Sequence, residues 1–406
     1  MRGDGTKMAT FTPMKIIHTA DWHVGHELYS YRREEEFDCF FRQLAELMQA
    51  EQPDALLVSG DVYDSYMPSN SAVRQLNQAL LLLHDASPET EIILTAGNHD
   101  SGARLEAAAA PWASHRVHFI GSIDEHSEYN FIPIGEKGLV VALPFCYPAN
   151  FPHHDSDPSE GRQERFFGRV CAYLQGETLP TVLMAHLYVP GARLNGGRQP
   201  RDIVGGSEPM SLDAISTGYD YLALGHIHRY QEITQRAFYS GSPLPISFDE
   251  PATHGVVIVE LERGKAPKTD FRSFDIMRPL VTLPKGGAVP FPEVLKQLAA
   301  MDPERECYIR LHVLADESLP FDHMEQATKA LAGKRGRYCS LKVEYPMRTE
   351  ETGDSRPELH PEDFADYSAR AIAEQFFRDE GLPEEEQKEL LQLFDRIDAT
   401  YETLEL

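Results

Sequence analysis

Five short clusters of aspartate, histidine and asparagine could bind metal ions in this chain of 406 residues. None of them contains cysteine, so their donor atoms are oxygens and nitrogens. Such a mixed set suits Mn²⁺, Fe²⁺ or Zn²⁺ in a reactive site and lacks the thiolates of a structural zinc site. The clusters are Asp21-x-His23, Gly60-Asp61-x-x-Asp64, Gly97-Asn98-His99-Asp100, His186 and Gly225-His226-x-His228.

An aspartate within such a set can bridge two ions, because each of its carboxylate oxygens can bind one of them. Two neighbouring divalent ions lower the pKa of water and neutralise a phosphoryl group from both sides. Glycines precede Asp61, Asn98 and His226, and glycine permits the sharp turns that would direct these side chains toward one point. The residue types therefore predict a two-metal site that hydrolyses a phosphate ester.

The hydrophobic pattern supplies elements that could bring the clusters together. From Lys15 to about Asp275, short apolar runs alternate with amphipathic helices, as in βα units. Each cluster follows or ends an apolar run, and ligand sites of α/β sheets lie at the carboxyl ends of strands. The predicted strands are KIIHTA, DALLVSG, EIILTAG, GLVVALP, TVLMAHL, YLALG, AFYSG and HGVVIVEL.

The rest of the chain has two further patterns. Residues 276–347 alternate strand and helix and predict a small α+β domain. A polar stretch then leads, within 348–406, to two amphipathic helices that Gly381-Leu382-Pro383 separates. We expect residues 1–13 to be a loose extension and 14–275 to be the domain that carries the metal site.

Charge and cysteine content restrict the partners and the compartment. The net charge is −26, and residues 350–406 hold 18 acidic residues against five basic ones. Because affinity for DNA depends on Lys and Arg, the chain alone should bind DNA weakly, and bound cations and a basic partner would compensate. Five scattered cysteines and the lack of a long apolar run predict a cytoplasmic protein without membrane contact.

The ordered set of clusters resembles the calcineurin-like metallophosphoesterase superfamily over residues 14–275. The resemblance implies an α/β fold, a four-layer sandwich in which helices flank two central mixed sheets. It also implies two divalent metal ions, with Mn²⁺ expected. The ligands that it implies are Asp21, His23, Asp61 and His228 for the first ion, and Asp61, Asn98, His186 and His226 for the second.

The same resemblance implies roles for three residues beside the metal ligands. His99 would contact the substrate phosphate and assist the leaving oxygen. Asp100 would orient His99 through a hydrogen bond to the other ring nitrogen, as carboxylates do for catalytic imidazoles. For Asp64 we expect only a supporting role.

Longer stretches are similar to the SbcD family of bacterial nuclease subunits. That family implies ATP-dependent 3′→5′ exonuclease action on double-stranded DNA and endonuclease action on hairpins, in DNA repair, recombination and replication. It also implies a homodimer within a heterotetramer, a capping domain at 276–347, and a tail at 348–406 that docks on an SbcC-type ATPase subunit. The similar stretches are HTADWHVGHELY, GDVYDSYMPSNSAV, GNHDSGARL, DYLALGHIHRYQ and YSGSPLPISFDE.

Two other functions remain open at the level of sequence. A nucleotide or small-molecule phosphodiesterase on the same fold would not need the segments after residue 275. A non-catalytic scaffold of this fold should lack some of the metal ligands, whereas all are present here. The densest basic cluster, Lys334, Arg335 and Arg337, could contact DNA phosphates or form a solvated turn.

Overall fold

The computed structural model describes residues 13–123, 130–152, 161–194, 210–212, 215, 218–250, 253–315 and 319–345. The chain divides into two compact units, Met1–Pro346 and Met347–Leu406. In the second unit the described positions 370, 377, 387, 388 and 390–394 are helical, and the rest of the two predicted helices lies outside the described residues. The expected extension at 1–13 lies outside them as well, except for Pro13. Within the described part of the chain, no helix has the length and apolarity that crossing a membrane requires.

The first large sheet has six strands and is mixed. Its strands are β1 (Met14–Thr19), β2 (Ala55–Ser59), β3 (Glu91–Thr95), β4 (Val117–Ile120), β11 (Gly255–Leu261) and β12 (Lys268–Ser273). They lie in the order β12-β11-β1-β2-β3-β4; β1 to β4 are parallel, and β11 is antiparallel to both of its neighbours, β1 and β12. The helices that connect the parallel strands are α1 (Glu34–Glu51), α2 (Asn70–Ala86), α3 (Gly102–Glu106) and α4 (Ala109–Trp112).

The second large sheet also has six strands and mixed directions. Its strands are β5 (Phe131–Ile134), β6 (Gly138–Ala142), β7 (Thr181–His186), β8 (Tyr221–Gly225), β9 (Gln231–Thr234) and β10 (Ala237–Tyr239). They lie in the order β5-β6-β7-β8-β10-β9, and β6, β7, β8 and β10 are parallel. Helix α5 (Arg162–Gln175) connects β6 to β7.

The two large sheets pack face to face because their strands are apolar on both faces. Side chains alternate between the faces of a strand. In β1, Ile16 lies in the core between the sheets, whereas Ile17 packs in the core beneath α1 and α2. In β7, Met184 faces the first sheet and Leu183 packs in the core that includes α5. The predicted α/β fold, in which helices flank two central mixed sheets, is confirmed.

A third, smaller sheet follows at residues 280–344. Its elements are β13 (Leu280–Leu283), β14 (Val289–Pro290), α6 (Phe291–Ala299), β15 (Cys307–Leu314), α7 (His323–Ala330) and β16 (Gly336–Glu344). Strand β15 pairs in parallel with the other three strands. Val294, Leu298, Ile309 and Ala327 belong to a hydrophobic core of its own. These residues therefore form a small α+β layer that can bury its own apolar side chains.

A buried ionic cluster joins this small layer to α1. We define it as Arg33, Glu36, Arg278 and Tyr308. The Glu36 carboxylate accepts hydrogen bonds from Arg33 Nε at 2.7 Å and from the Tyr308 hydroxyl at 2.6 Å. Arg278 Nη1 lies 3.4 Å from the same carboxylate. Because all four side chains are buried, this contact fixes the small layer to the domain that holds the metal-binding clusters.

Candidate metal centre

The predicted metal ligands emerge at the carboxyl ends of five parallel strands. Asp21 follows β1, Asp61 follows β2 and Asn98 follows β3 in the first sheet. His186 is the last residue of β7 and His226 comes directly after β8 in the second sheet. The Ser59 hydroxyl donates to the carbonyl oxygen of Ala223 at 3.1 Å, which ties the two sheets together at this edge.

All seven predicted ligands meet there in two adjoining groups. Within each group, the carboxylate oxygens and imidazole nitrogens that could bind an ion lie within 4.8 Å of one another. The amide oxygen of Asn98 lies 3.0 Å from His186 Nε2 and 3.0 Å from His226 Nδ1, which places it in the second group. The groups are Asp21, His23 and His228, and Asp61, His186 and His226.

Asp61 lies between the two groups. Its Oδ2 is 3.6 Å from His23 Nε2 in the first group and 3.4 Å from His186 Nε2 in the second. Its Oδ1 accepts the backbone N–H of His99 at 2.9 Å, so Oδ2 is the oxygen that faces both groups. His23 Nε2 is buried and has no hydrogen-bond partner among the described residues, as expected of an atom placed to bind a cation. The donor set therefore fits two divalent ions with a shared carboxylate.

Contacts behind the ligands orient two of the imidazole rings. His186 Nδ1 lies 2.9 Å from the carbonyl oxygen of Ser59, and His228 Nδ1 lies 2.8 Å from Glu250 Oε1. A bond at one ring nitrogen fixes the ring and leaves the other nitrogen for the ion. In both rings that other nitrogen is Nε2.

The electrostatics of the site favour added positive charge. Although burial by itself would lower it, the charge of Asp61 raises the pKa of His186 to about 9. Burial by itself would also lower the pKa of His228, but its hydrogen bond to Glu250 and the charge of Asp21 raise that pKa to about 9. Burial raises the pKa of Asp21. Protonated imidazoles thus balance the carboxylates, and divalent ions would displace those protons on binding.

The backbone is strained where it carries the ligands. Four of the ligands have positive φ values, which residues other than glycine rarely adopt. The values are 54° for Asp21, 48° for His23, 49° for Asp61 and 97° for His226. Such strain concentrates at functional sites, where the surrounding structure holds it in place. Strain and convergence therefore mark the same edge of the sheets.

Two comparisons with known proteins agree with this geometry. The family model of the calcineurin-like phosphoesterases matches residues 14–230. The chain belongs to this family. That range contains every predicted ligand and both groups of the metal centre. The chain is therefore a member of a family of phosphoesterases, and its fold and its ordered ligands agree with that membership.

Three curated relatives place the chain within the family. Each of them is named as the SbcD component of the nuclease SbcCD. The relative from Rhodobacter capsulatus is 36% identical over 70% of this chain and 75% of its own length. The relative from Escherichia coli is 29% identical over 75% of this chain and 79% of its own length. The relative from Bacillus subtilis is 30% identical over 62% of this chain and 67% of its own length. This calcineurin-like phosphoesterase thus belongs with the SbcD proteins, as its longer stretches indicated.

The predicted contact between Asp100 and His99 is wrong. The Asp100 carboxylate instead accepts three backbone N–H groups, from Val62 at 2.9 Å, Tyr63 at 2.8 Å and Gly97 at 2.8 Å. Burial is the main reason that the pKa of Asp100 rises to about 6. Asp100 therefore holds the turns that follow β2 and β3, and it acts on the centre through the backbone.

His99 instead bonds to the neighbouring cluster. Its Nδ1 lies 3.0 Å from the carbonyl oxygen of Asp64, and its ring is exposed at the mouth of the site. The Asp64 carboxylate lies 3.3 Å from His23 Nδ1. Asp64 thus contacts one ligand and positions His99.

The glycines of the clusters meet two different needs. Gly60 has a φ of +85°, so it makes the sharp turn that the sequence predicted. At Gly97 and Gly225 the need is space, because a Cβ would lie 2.1 Å from Asp61 Oδ1 and 1.7 Å from the carbonyl oxygen of Ser59. Among these three glycines, only Gly60 therefore needs the positive φ, although Gly97 also begins a turn, in which the backbone N–H of Asp100 donates to its carbonyl oxygen at 3.3 Å.

The basic cluster in the small layer is occupied by contacts within the chain. Lys334 Nζ donates to carbonyl oxygens at the end of α6, among them that of Leu298 at 3.0 Å. Arg335 pairs with Glu306 at 3.0 Å, and Arg337 donates to the Tyr308 hydroxyl at 2.9 Å. These contacts favour a structural role over binding of DNA phosphates.

Proposed function

We propose that this chain is the nuclease subunit of an SbcCD-type complex and that it hydrolyses phosphodiester bonds of DNA with two divalent metal ions. The convergence of seven donors around Asp61 supports it most directly. The relatives, all named as components of a nuclease, support nucleic acid as substrate. They also disfavour the alternative of a nucleotide or small-molecule phosphodiesterase. A non-catalytic scaffold is disfavoured because every ligand is present.

The proposed ligand sets follow the two groups. When bound, the ions supply an activated water and neutralise the phosphoryl group. Asp61 would share its Oδ2 between them, and Glu250 and the Ser59 carbonyl would keep the rings of His228 and His186 turned toward them. The first set is Asp21, His23, Asp61 and His228, and the second is Asp61, Asn98, His186 and His226.

His99 is the proposed residue for contact with the substrate. A carbonyl oxygen can only accept, so His99 Nδ1 carries the proton in its bond to Asp64. His99 Nε2 can therefore donate only when the ring is the imidazolium. In that form it would stabilise a phosphate oxygen and then protonate the departing ribose oxygen.

The finer assignments follow the family resemblance. We propose Mn²⁺ as the metal, with ATP-dependent 3′→5′ action on double-stranded DNA and endonuclease action on hairpins, in the cytoplasm. Residues 276–347 would be the capping domain, and 348–406 would dock on an SbcC-type ATPase subunit. Leu81 and Leu82, which are 46% and 40% exposed on α2, would contribute to a homodimer within the heterotetramer.

The test compares variants on labelled duplex DNA in Mn²⁺, with and without the ATPase partner. We expect Asp61→Asn to lose more than about a hundredfold in rate, because it removes a shared ligand rather than a supporting contact. Elemental analysis should find two ions per chain in the wild type and fewer than one in this variant. His99→Ala should lose turnover but keep both ions.

The matched control is Asp249→Asn, which changes a half-exposed acid outside the metal groups and should keep its ions. If the wild type, even with the partner, hydrolyses a simple phosphodiester but leaves DNA intact, the proposed substrate is wrong. If Asp61→Asn keeps two ions, the proposed shared ligand is wrong.

A further inference from the structure

A cleft with aromatic walls adjoins the metal centre on the side of Asn98. Its volume is about 290 Å³, and its lining includes Asn98 and the side chains of Tyr66, Phe145 and Tyr147. Tyr66 is 53% exposed and Tyr147 is 46% exposed. Half-exposed tyrosines beside a polar reaction centre present flat apolar surface that the protein itself does not cover.

The aromatic residues are held in place before any ligand arrives. The ring of Tyr147 packs edge-on against Phe145, with 4.9 Å between the ring centroids. The backbone N–H of Phe145 donates to the carbonyl oxygen of Ala96, next to the Gly97-Asn98 turn, at 2.7 Å. The neighbouring hydroxyl of Tyr147 raises the pKa of Tyr66. The aromatic surface is thus tied to the turn that carries a metal ligand.

Two glycines shape the cleft on another side. Gly102 and Gly121 line it, and their backbones approach each other closely. A Cβ on Gly102 would lie 2.0 Å from the carbonyl oxygen of Gly121, and one on Gly121 would lie 2.1 Å from that of Gly102. The absence of side chains there lets the two backbone segments meet and form one wall of the cleft.

We propose that this cleft binds the nucleobase adjacent to the scissile phosphate, with Tyr66 and Tyr147 as its stacking surface. The inference rests on the proposed nuclease function and adds to it a binding site for the base. A planar base can stack on an exposed aromatic ring, and each stacked base contributes about 1–3 kcal/mol without selecting sequence. A phosphate bound at the metal centre would bring its own nucleotide to the cleft, because Asn98 belongs to both sites.

The cleft also specifies the state of the DNA. A base within a duplex is stacked on its neighbours and cannot reach a pocket lined by protein. The nucleotide next to the cut must therefore be unpaired or become so. Ends, frayed termini and hairpin loops offer such nucleotides at the lowest cost, so the cleft favours cutting at these places.

The experiment measures single-turnover cleavage of labelled duplex DNA by the complex with its ATPase partner in Mn²⁺. Tyr66→Ala and Tyr147→Ala should each lose about tenfold or more, as one stacking contact predicts. Tyr66→Phe and Tyr147→Phe should restore most of the rate, because they keep the rings. The matched control is Tyr173→Ala, an exposed tyrosine on α5 outside the cleft, which should match the wild type.

Substrates without a base separate binding of the base from chemistry. On DNA with an abasic residue beside the cut, the cleavage rate of the wild type should fall by the factor that the alanine variants lose on intact DNA. The rates of the alanine variants should not fall further when the base is removed. On methyl p-nitrophenyl phosphate the loss in the alanine variants should be at least tenfold smaller than on DNA.

Three results would overturn the base site. The first is that Tyr66→Ala and Tyr147→Ala cleave DNA as fast as Tyr173→Ala. The second is that these variants lose the same factor on the base-free diester as on DNA. The third is that they lose that factor again on abasic DNA, relative to the wild type on the same substrate. A wild type that cleaves the diester but no DNA would overturn the proposed function, and the base site with it.

Discussion

Two clusters of buried charged side chains differ in how fully the protein satisfies them. In the buried ionic cluster, the Glu36 carboxylate meets Arg33, Arg278 and the Tyr308 hydroxyl within 3.4 Å. At the metal centre, His23 Nε2 is buried without a partner, and it lies 3.6 Å from the Oδ2 atom of Asp61. The Glu36 carboxylate has three partners within the chain, although Arg33 Nη2 has none among the described residues, whereas the carboxylates of the metal centre leave room for cations.

The backbone shows the same contrast. Four residues of the metal centre have positive φ, and no member of the buried ionic cluster does. Strained backbone persists only where other interactions compensate for it. The comparison teaches that the protein pairs a buried carboxylate within the chain where the small layer contacts α1. At the metal centre, where an ion must bind, it leaves carboxylate and imidazole groups less fully paired within the chain.

The largest effect on stability should come from breaking the buried ionic cluster. Glu36→Ala leaves two buried guanidinium groups without their shared carboxylate, which typically costs about 3–5 kcal/mol. The matched control is Glu35→Ala, which removes an exposed carboxylate that pairs with the same Arg278 and should cost far less. Urea denaturation measures both. Equal losses would show that the buried cluster has no special weight.

The metal centre should respond to ions rather than to pairing within the chain. Mn²⁺ at about 100 times its dissociation constant should stabilise the wild type by about 2.7 kcal/mol for each site. Asp61→Asn should lose most of this increment, whereas Glu36→Ala should keep it although it starts from a lower stability. Thermal denaturation with and without Mn²⁺ measures the increments. If Glu36→Ala lost the increment too, the two clusters would act as one.

The sequence reveals the interior of the fold better than its edges. The strands that the apolar runs predict are those buried within the two large sheets. The strands that they miss are β4, β5, β9 and β12, the four edge strands. An edge strand needs only one partner and often has one wet face, as the alternating burial of Gln231–Thr234 shows. Its residues therefore carry little apolar signal.

At the metal centre, the sequence predicts the residues that meet but not what holds them. The ligands follow strand ends, so local spacing suffices to find them. Glu250 is 22 residues from His228 and its contact depends on a turn that no pattern specifies. The Ser59 carbonyl is a backbone atom and has no signature in the sequence at all. The predicted partner of Asp100 is wrong because a position beside His99 says nothing about the direction of its carboxylate.

The support behind the metal centre provides the third prediction. Glu250→Ala frees the His228 ring, and loss of such a contact typically costs about 10–100-fold in metal affinity or activity. The metal affinity of Glu250→Gln should lie between those of the wild type and Glu250→Ala, because glutamine keeps a hydrogen-bond acceptor but not the charge. The neighbouring Asp249→Ala removes a partly exposed pair with Arg310 and serves as the control. Calorimetric titration with Mn²⁺ measures affinity, and similar losses in both neighbours would contradict the role of Glu250.

A third kind of buried polar residue sharpens the comparison, because among the described residues no opposite charge lies beside His18. His18 is buried between the sheets with Nδ1 2.9 Å from the Tyr221 hydroxyl. Burial lowers the pKa of His18 to about 3 from 6.5. Below pH 6.5 the unfolded chain therefore binds a proton that the folded chain does not, so stability is complete above pH 6.5 and falls as the pH decreases toward 3.

This titration sets the smallest effect, about 1.4 kcal/mol at pH 5.5, one unit below the ordinary pKa of histidine. Between pH 7.5 and 5.5, the wild type should lose about that much more stability than His18→Gln, which retains a polar partner for Tyr221 but cannot titrate. Urea denaturation of both proteins at both pH values, without added metal, measures the difference. Parallel losses would mean that His18 is protonated in the folded state. Burial without a counter-charge would then be tolerated between the sheets. A buried imidazole nitrogen without a hydrogen bond, such as His23 Nε2, would no longer stand apart as a mark of ion binding.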